Sequence, residues 1–238
     1  MLGFFSLTGF LIKSVKTFNK KSIDVNGKLI KKNMKKLESN LAFAMLKDAI
    51  ILHNTGYMYG LGCFYNSLKA VNRISEVKDR SKKGFIVLLS SIDDLKKYTV
   101  ILTKIQLNLI ADFSPGNVTF ILKSNYLIPD FLKIDGLTAF RIPQSKSLRK
   151  FIEEYKTPII STSINKSGEQ PLNNFDDIQK FFGDKIDFNL CIPDSEIMES
   201  SPSTIVKFMN NELVLIREGL IKFSVIKEKY EYLLKNSK

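Results

Sequence analysis

A run of hydroxyl and amide side chains, Ser161-Thr162-Ser163-Ile164-Asn165-Lys166-Ser167-Gly168, follows directly on the apolar Pro158 to Ile160. Serine, threonine and asparagine donate to phosphate oxygens and accept from an amine. At the carboxyl end of a strand such a cluster stands where open α/β sheets bind ligands. The same residue types also build ordinary polar turns and helix caps. A second group is Ser203-Thr204, with Arg217 fourteen residues further on. If the apolar stretches between them form a hairpin, both lie near its same end and serve one site. A third is Lys78-Asp79-Arg80, followed by Ser81-Lys82-Lys83-Gly84. It is either a pair of cations complementing a helix C-terminus or a cationic wall for phosphate or carboxylate. The fourth, Tyr59-Gly60-Leu61-Gly62-Cys63, reads as a glycine turn whose free N–H groups face an anion.

The remaining chemistry is bounded by what is scarce. Two cysteines, Cys63 and Cys191, form no C-x-x-C pair, which excludes a structural zinc site of that kind. The single histidine, His53, follows the apolar run Ala49 to Leu52 and reads as a strand-end residue; a multi-His metal site and a Ser-His-Asp triad have no support. Of 36 basic residues only five are arginine: Arg73, Arg80, Arg141, Arg149 and Arg217. Arginine in so lysine-rich a chain marks places that need a planar fork, for carboxylate or phosphate, or a surface ion pair. The formal net charge of +12 points to an anionic partner such as RNA, ATP or a membrane surface, or else to A+T-rich coding.

These residues need elements to hold them. The spacing of Leu37, Leu41, Ala44, Met45 and Ala49 is helical, and Ala49 to Leu52 is a short strand. A helix follows over Ser67 to Val77 and a buried strand over Phe85 to Leu89. Ser91, three residues before Asp94, caps a short helix over Ile92 to Lys97. Strands are expected at Val118 to Leu122 and Leu137 to Ile142, a helix at Leu148 to Tyr155, a strand at Pro158 to Ser161 and a helix at Phe175 to Phe182. Further strands fall near Leu190, Thr204 to Phe208 and Leu213 to Ile216, the last two joined by Asn210-Asn211. Glu228 to Leu234 is a terminal helix. Interleaved strands and helices predict an α/β fold with a sheet of mixed direction.

Residues 34–238 read as one domain and 1–33 as a basic N-terminal extension. The apolar Leu2 to Ile12 lacks a basic n-region and an A-x-A-like site, and is too short to span a bilayer. The Lys-rich stretch after it is either a membrane-tethering segment or part of an over-extended reading frame whose native start is Met34.

In order and spacing the polar segments resemble the threonylcarbamoyl-AMP synthase (YrdC-like) family. The resemblance rests on Tyr59-Gly60-Leu61, Lys78-x-Arg80, Pro115-Gly116 with Thr119, Arg141-x-Pro143, Ser163-x-Asn165-x-Ser167-Gly168, Ser203-Thr204-Ile205-Val206 and Arg217-x-Gly219. It runs from about residue 40 to 222, and three of the five arginines fall on its motif positions. It implies a twisted α/β sheet with flanking helices around a concave basic cavity. It also implies a cytoplasmic enzyme that joins L-threonine, bicarbonate and ATP, usually with Mg²⁺, into threonylcarbamoyl-AMP and pyrophosphate. The product feeds a threonylcarbamoyl-transferase machinery that makes t6A at position 37 of tRNA. Carried over, Lys78 and Arg80 would meet phosphate and carboxylate charge as the catalytic cations. Arg80, Asn165, Asn173 and Arg217 would hold ATP. Tyr57, Arg141, Ser163 and Ser203 would line the threonine pocket. No metal-ligand set is implied in the protein.

The family's P-T-x-T stands here as Asn54-Thr55-Gly56-Tyr57, which puts a bulky ring on the pocket wall. Ser81, Gly84, Phe85, Leu89, Asn173 and Glu218 also depart from its pattern. The alternative is therefore a catalytically impaired relative that binds RNA through the basic cavity. A carbamoyl-phosphate-using relative in hydrogenase maturation would carry further zinc-finger and transferase domains.

Overall fold

Apolar residues recurring at every second position, with glycine or a short polar residue between them, set the strands of this chain on a two-faced sheet. The computed structural model describes residues 42–78, 84–165, 169–191, 201–209 and 212–236. Their strands are β1 (Ile51–Asn54), β2 (Tyr59–Phe64), β3 (Ile86–Leu88), β4 (Val118–Lys123), β5 (Leu137–Arg141), β6 (Ile159–Ser163), β7 (Phe188–Asn189), β8 (Thr204–Met209) and β9 (Glu212–Arg217). After a helical stretch at 42–46, their helices are α1 (Leu68–Val77), α2 (Ile92–Tyr98), α3 (Lys104–Asp112), α4 (Lys146–Tyr155), α5 (Phe175–Phe182) and α6 (Phe223–Lys235). The strands form one sheet in the order β7-β1-β2-β6-β3-β5-β4-β8-β9. It is mixed: β1/β7, β3/β5 and β4/β8 run parallel, and the other neighbours antiparallel.

The register decides what each face carries, because directly paired residues point the same way. Leu52, Leu61, Val87, Phe120, Phe140, Ile160 and Val206 belong to the larger core cluster. Ala70, Val71 and Ile74 of α1, Leu109 and Ile110 of α3, Ile178 of α5 and Ile226 of α6 join them there. On the other face a second cluster joins Ile51, Phe64, Leu88 and Ile159 to Leu148, Phe151 and Ile152 of α4. The rest of that face pairs Gly60 with Ser163, Gly62 with Ser161, Ile86 with Ser161 and Ala139, and Thr119 with Ile205. These side chains are short or polar, and the cavity described below opens there.

The α/β class and the mixed sheet agree with expectation, but several elements differ. Tyr59 to Gly62 is not a turn: it is the first part of the fully buried strand β2. The glycines are there for close packing within the sheet. A Cβ on Gly62 would lie 2.3 Å from the Ile160 carbonyl oxygen, and one on Gly60 2.7 Å from the His53 ring. The turn comes earlier, where Thr55 N–H donates to the Met58 carbonyl at 3.1 Å and Gly56 takes φ 97°. His53 lies within β1 and is fully buried. Helix α3 was not expected, although Thr103 and Gln106 form a capping box with bonds of 3.2 and 2.9 Å. Helix α6 starts at Phe223, ahead of the expected Glu228. The Ser91 cap is present, accepting from Asp94 N–H at 3.1 Å. The extension 1–33 and the Asn210-Asn211 turn lie outside the described residues.

Candidate active site

β5 ends on Arg141 and β6 on Ser163, so a charge and a hydroxyl arrive at the sheet surface where helix α4 no longer covers it. With Ser203 just before β8 and Arg217 closing β9, they line a cavity of about 260 Å³. Thr55, Met58, Tyr59, Ser161 and Thr162 contribute to its described walls, which hold two arginines and no carboxylate. Its described lining therefore carries positive charge without a compensating carboxylate.

Arg141 is only 4% exposed. Its Nε donates to the Gly116 carbonyl at 2.8 Å, and Nη2 has no hydrogen-bond partner among the described residues. The Tyr57 ring lies against the guanidinium, 5.7 Å from centroid to Cζ. Burial pulls its pKa down to about 10; the Tyr57 phenol opposes that electrostatically, and the charge of Arg217 adds to it. The group stays cationic at neutral pH. A buried guanidinium with an open N–H is costly alone and fitted to an incoming carboxylate.

Ser203 and Arg217 meet as the hairpin reading requires. Arg217 Nη2 donates to the Ser203 carbonyl at 2.8 Å and to its hydroxyl at 3.3 Å, and Thr119 Oγ1 lies 2.8 Å from Ser203 Oγ. Close packing holds the Ser203 loop: a Cβ on Gly219 would come within 2.2 Å of the Pro202 carbonyl oxygen.

Lys78, at the end of α1, is 1% exposed. Its ammonium donates to the Ser163 carbonyl, and to Asn165 Oδ1 at 2.7 Å. Ser163 Oγ donates to the same Asn165 oxygen at 2.7 Å, and Asn165 Nδ2 to the Glu169 carbonyl at 2.8 Å. Lys78 thus holds the start of the polar loop. It is not among the described residues of the cavity wall, and it is far from a solvated helix-end cation.

Of the expected site residues, Arg141, Ser163, Ser203 and Arg217 come together on the wall. The Tyr57 ring lies within cation–π range of Arg141, and Lys78 and Asn165 sit against Ser163. Asn173 is exposed in the segment before α5 and is not on that wall. Arg80 and the Lys166-Ser167-Gly168 part of the polar loop lie outside the described residues. Met58 on the wall was not anticipated; Ser161, Thr162, Thr55 and Thr119 stand in the polar run and motifs above but were given no role in the site. The two β6 positions belong to the polar run itself and carried the signal. An adjoining hollow of about 590 Å³ was also missed. Ile121, Phe131, Leu137, Ala139, Ile205 and Ile216 line it, and it shares Gly84, Ile86 and Arg217 with the cavity. Its signal was the apolar alternate positions of β4, β5 and β8.

The family model Sua5_yciO_yrdC, described as "Telomere recombination", matches residues 44–219. Threonylcarbamoyl-AMP synthase of Wigglesworthia glossinidia brevipalpis is 34% identical over 181 residues, covering 74% of this chain and 90% of that protein. A putative threonylcarbamoyl-AMP synthase of Methanocaldococcus jannaschii is 30% identical over 188 residues, covering 79% and 87%. Among solved structures, P. abyssi Sua5 complexed with L-threonine superposes with a TM-score of 0.71 at 24% identity, over 81% of this chain and 57% of that one, a likeness of fold.

Proposed function

Because the chain belongs to the Sua5/YciO/YrdC family, we propose that it is a threonylcarbamoyl-AMP synthase, joining L-threonine, bicarbonate and ATP into threonylcarbamoyl-AMP and pyrophosphate for t6A37 formation in tRNA. The observation that carries the reading is Arg141: buried, cationic, with Nη2 without a described partner, in a cavity walled by hydroxyls and a second arginine.

The threonine carboxylate takes the Arg141 fork. Ser163 and Ser203 hydroxyls orient the amino-acid part. The amine condenses with bicarbonate, releasing water, and gives a carbamate. A carbamate oxygen attacks the α-phosphorus of ATP and pyrophosphate leaves. Such phosphorus chemistry rests on positioning and charge stabilisation, without a protein nucleophile. Arg217, tied to Ser203, turns its remaining N–H groups to the phosphates; Asn165, held by Lys78, fixes the loop beside them; Arg80, by the family resemblance, adds a cation to the nucleotide contacts, and Asn173, exposed and on neither wall, is left out of them. The apolar hollow next to Arg217 takes the base and sugar. Among the described residues no cluster of His, Cys, Asp or Glu suits a resident metal, and the described cavity wall has no carboxylate. A magnesium ion here belongs to the ATP it accompanies, held by phosphate oxygens and water.

No helix among the described residues is long and apolar enough to cross a membrane. Expression in a strain that lacks t6A tests the proposal. Restored t6A in its tRNA is the expected result; stable expression of the protein without any t6A overturns it.

A further inference from the structure

Tyr57 is the residue of this site whose position and chemistry the proposed reaction leaves unused. Its ring lies 5.7 Å from the Arg141 Cζ, within the range of a cation–π contact. The described cavity wall takes in Thr55, Met58 and Tyr59 but not Tyr57. The turn carrying it is fixed at both ends. Thr55 bonds to Met58 through N–H and hydroxyl, the Thr55 carbonyl accepts from Ser145 N–H at 3.1 Å, and Gly56 N–H donates to Asn54 Oδ1 at 2.7 Å. The ring therefore sits on a rigid platform. Arg141 has Nε spent on Gly116 and no described partner on Nη2, so a hydrogen bond at Nε and the ring restrain its fork.

We propose that Tyr57 is a positioning residue: through the cation–π contact of its ring with Arg141 it restrains the guanidinium that receives the substrate carboxylate, and so sets affinity for the amino acid without touching it. This rests on the synthase reading above. A ring face suffices for the role, and the phenol hydroxyl does not enter it. An arginine restrained by an aromatic ring loses less freedom when it pairs with a carboxylate. The effect belongs to amino-acid binding, since the base and phosphates of ATP sit beyond Arg217.

The test compares wild type, Tyr57→Phe and Tyr57→Leu. Threonine binding is measured by calorimetry without ATP, and KM for threonine and for ATP by pyrophosphate release. Tyr57→Leu is expected to weaken threonine binding and raise its KM by about tenfold, with KM for ATP and the thermal midpoint near wild type. Tyr57→Phe is expected to stay within about twofold of wild type. Unchanged threonine binding in Tyr57→Leu overturns the inference, as does an equal loss in Tyr57→Phe or a parallel rise in both KM values. Wild type that binds threonine but releases no pyrophosphate overturns the reaction only; a loss of that binding in Tyr57→Leu, kept in Tyr57→Phe, still supports Tyr57. Wild type that binds no threonine overturns both.

Discussion

On one face of the sheet β4, β5 and β8 carry Phe120, Phe140 and Val206, all buried in the main core. On the other face the same strands and their ends carry Thr119, Ala139, Arg141, Ser203 and Ile205. Neighbouring positions on one strand thus do opposite work. The first face is close-packed against α1, α3, α5 and α6, and its worth is burial. The second keeps a cavity, a hydroxyl pair and a buried guanidinium with an open N–H, and its worth is what it can bind. The core face supplies the stability that lets the site face hold an uncompensated charge.

That division can be broken from either side. The largest effect expected is on the core face. Phe140→Ala leaves a cavity among tightly packed side chains and should cost about 3–5 kcal/mol in chemical unfolding. The molecules that remain folded should keep their turnover. Equal losses of stability and of activity per folded molecule would mean that the two faces are not separable.

His53 tests the boundary between the faces. It lies on the site face, paired with Gly60, yet is fully buried, and neither ring nitrogen has a described hydrogen-bond partner. Burial first, then the charge of Arg141, brings its pKa down to about 3 from the usual 6.5. The folded-state value lies below the unfolded one, so stability is full above about pH 6.5 and falls as the pH drops towards 3. The slope from this group is at most about 1.4 kcal/mol per pH unit. His53→Leu should flatten that part of the stability–pH curve. An unchanged slope in the variant would place the acid sensitivity elsewhere.

The smallest effect expected is Ser203→Ala. It removes a hydroxyl bonded to Thr119 and Arg217 while leaving the carbonyl that anchors Arg217. KM for threonine should rise by about three- to tenfold, in line with one lost hydrogen bond, and the thermal midpoint should move little. A large drop in stability would make the pair structural.

Much of this was legible because the two faces obey different patterns. The apolar run Val118 to Leu122 and the cap at Ser91 act locally, so β4 and α2 are found where expected. β2 was misread because its glycines serve contacts with Ile160 and His53, which the local chain does not reveal. Arg141, Ser163, Ser203 and Arg217 were found through the order of polar segments, and they converge only through the pairing of β5, β6, β8 and β9 into one sheet. That Lys78 turns inward to Ser163 and Asn165 depends on a contact 85 residues away. The sequence pattern left it as either a helix-end charge or a cationic wall.

The most direct test of the account is threonine-dependent pyrophosphate release, with ATP and bicarbonate present, by wild type and by Arg141→Met. The guanidinium is taken to bind the substrate, with the cost of burying its charge at least cancelling its bond to Gly116. Wild type should therefore release pyrophosphate only when threonine is added, and the variant should lose about a hundredfold or more in kcat/KM for threonine with an equal or higher thermal midpoint. Release that ignores threonine, or a variant as active as wild type, would contradict it.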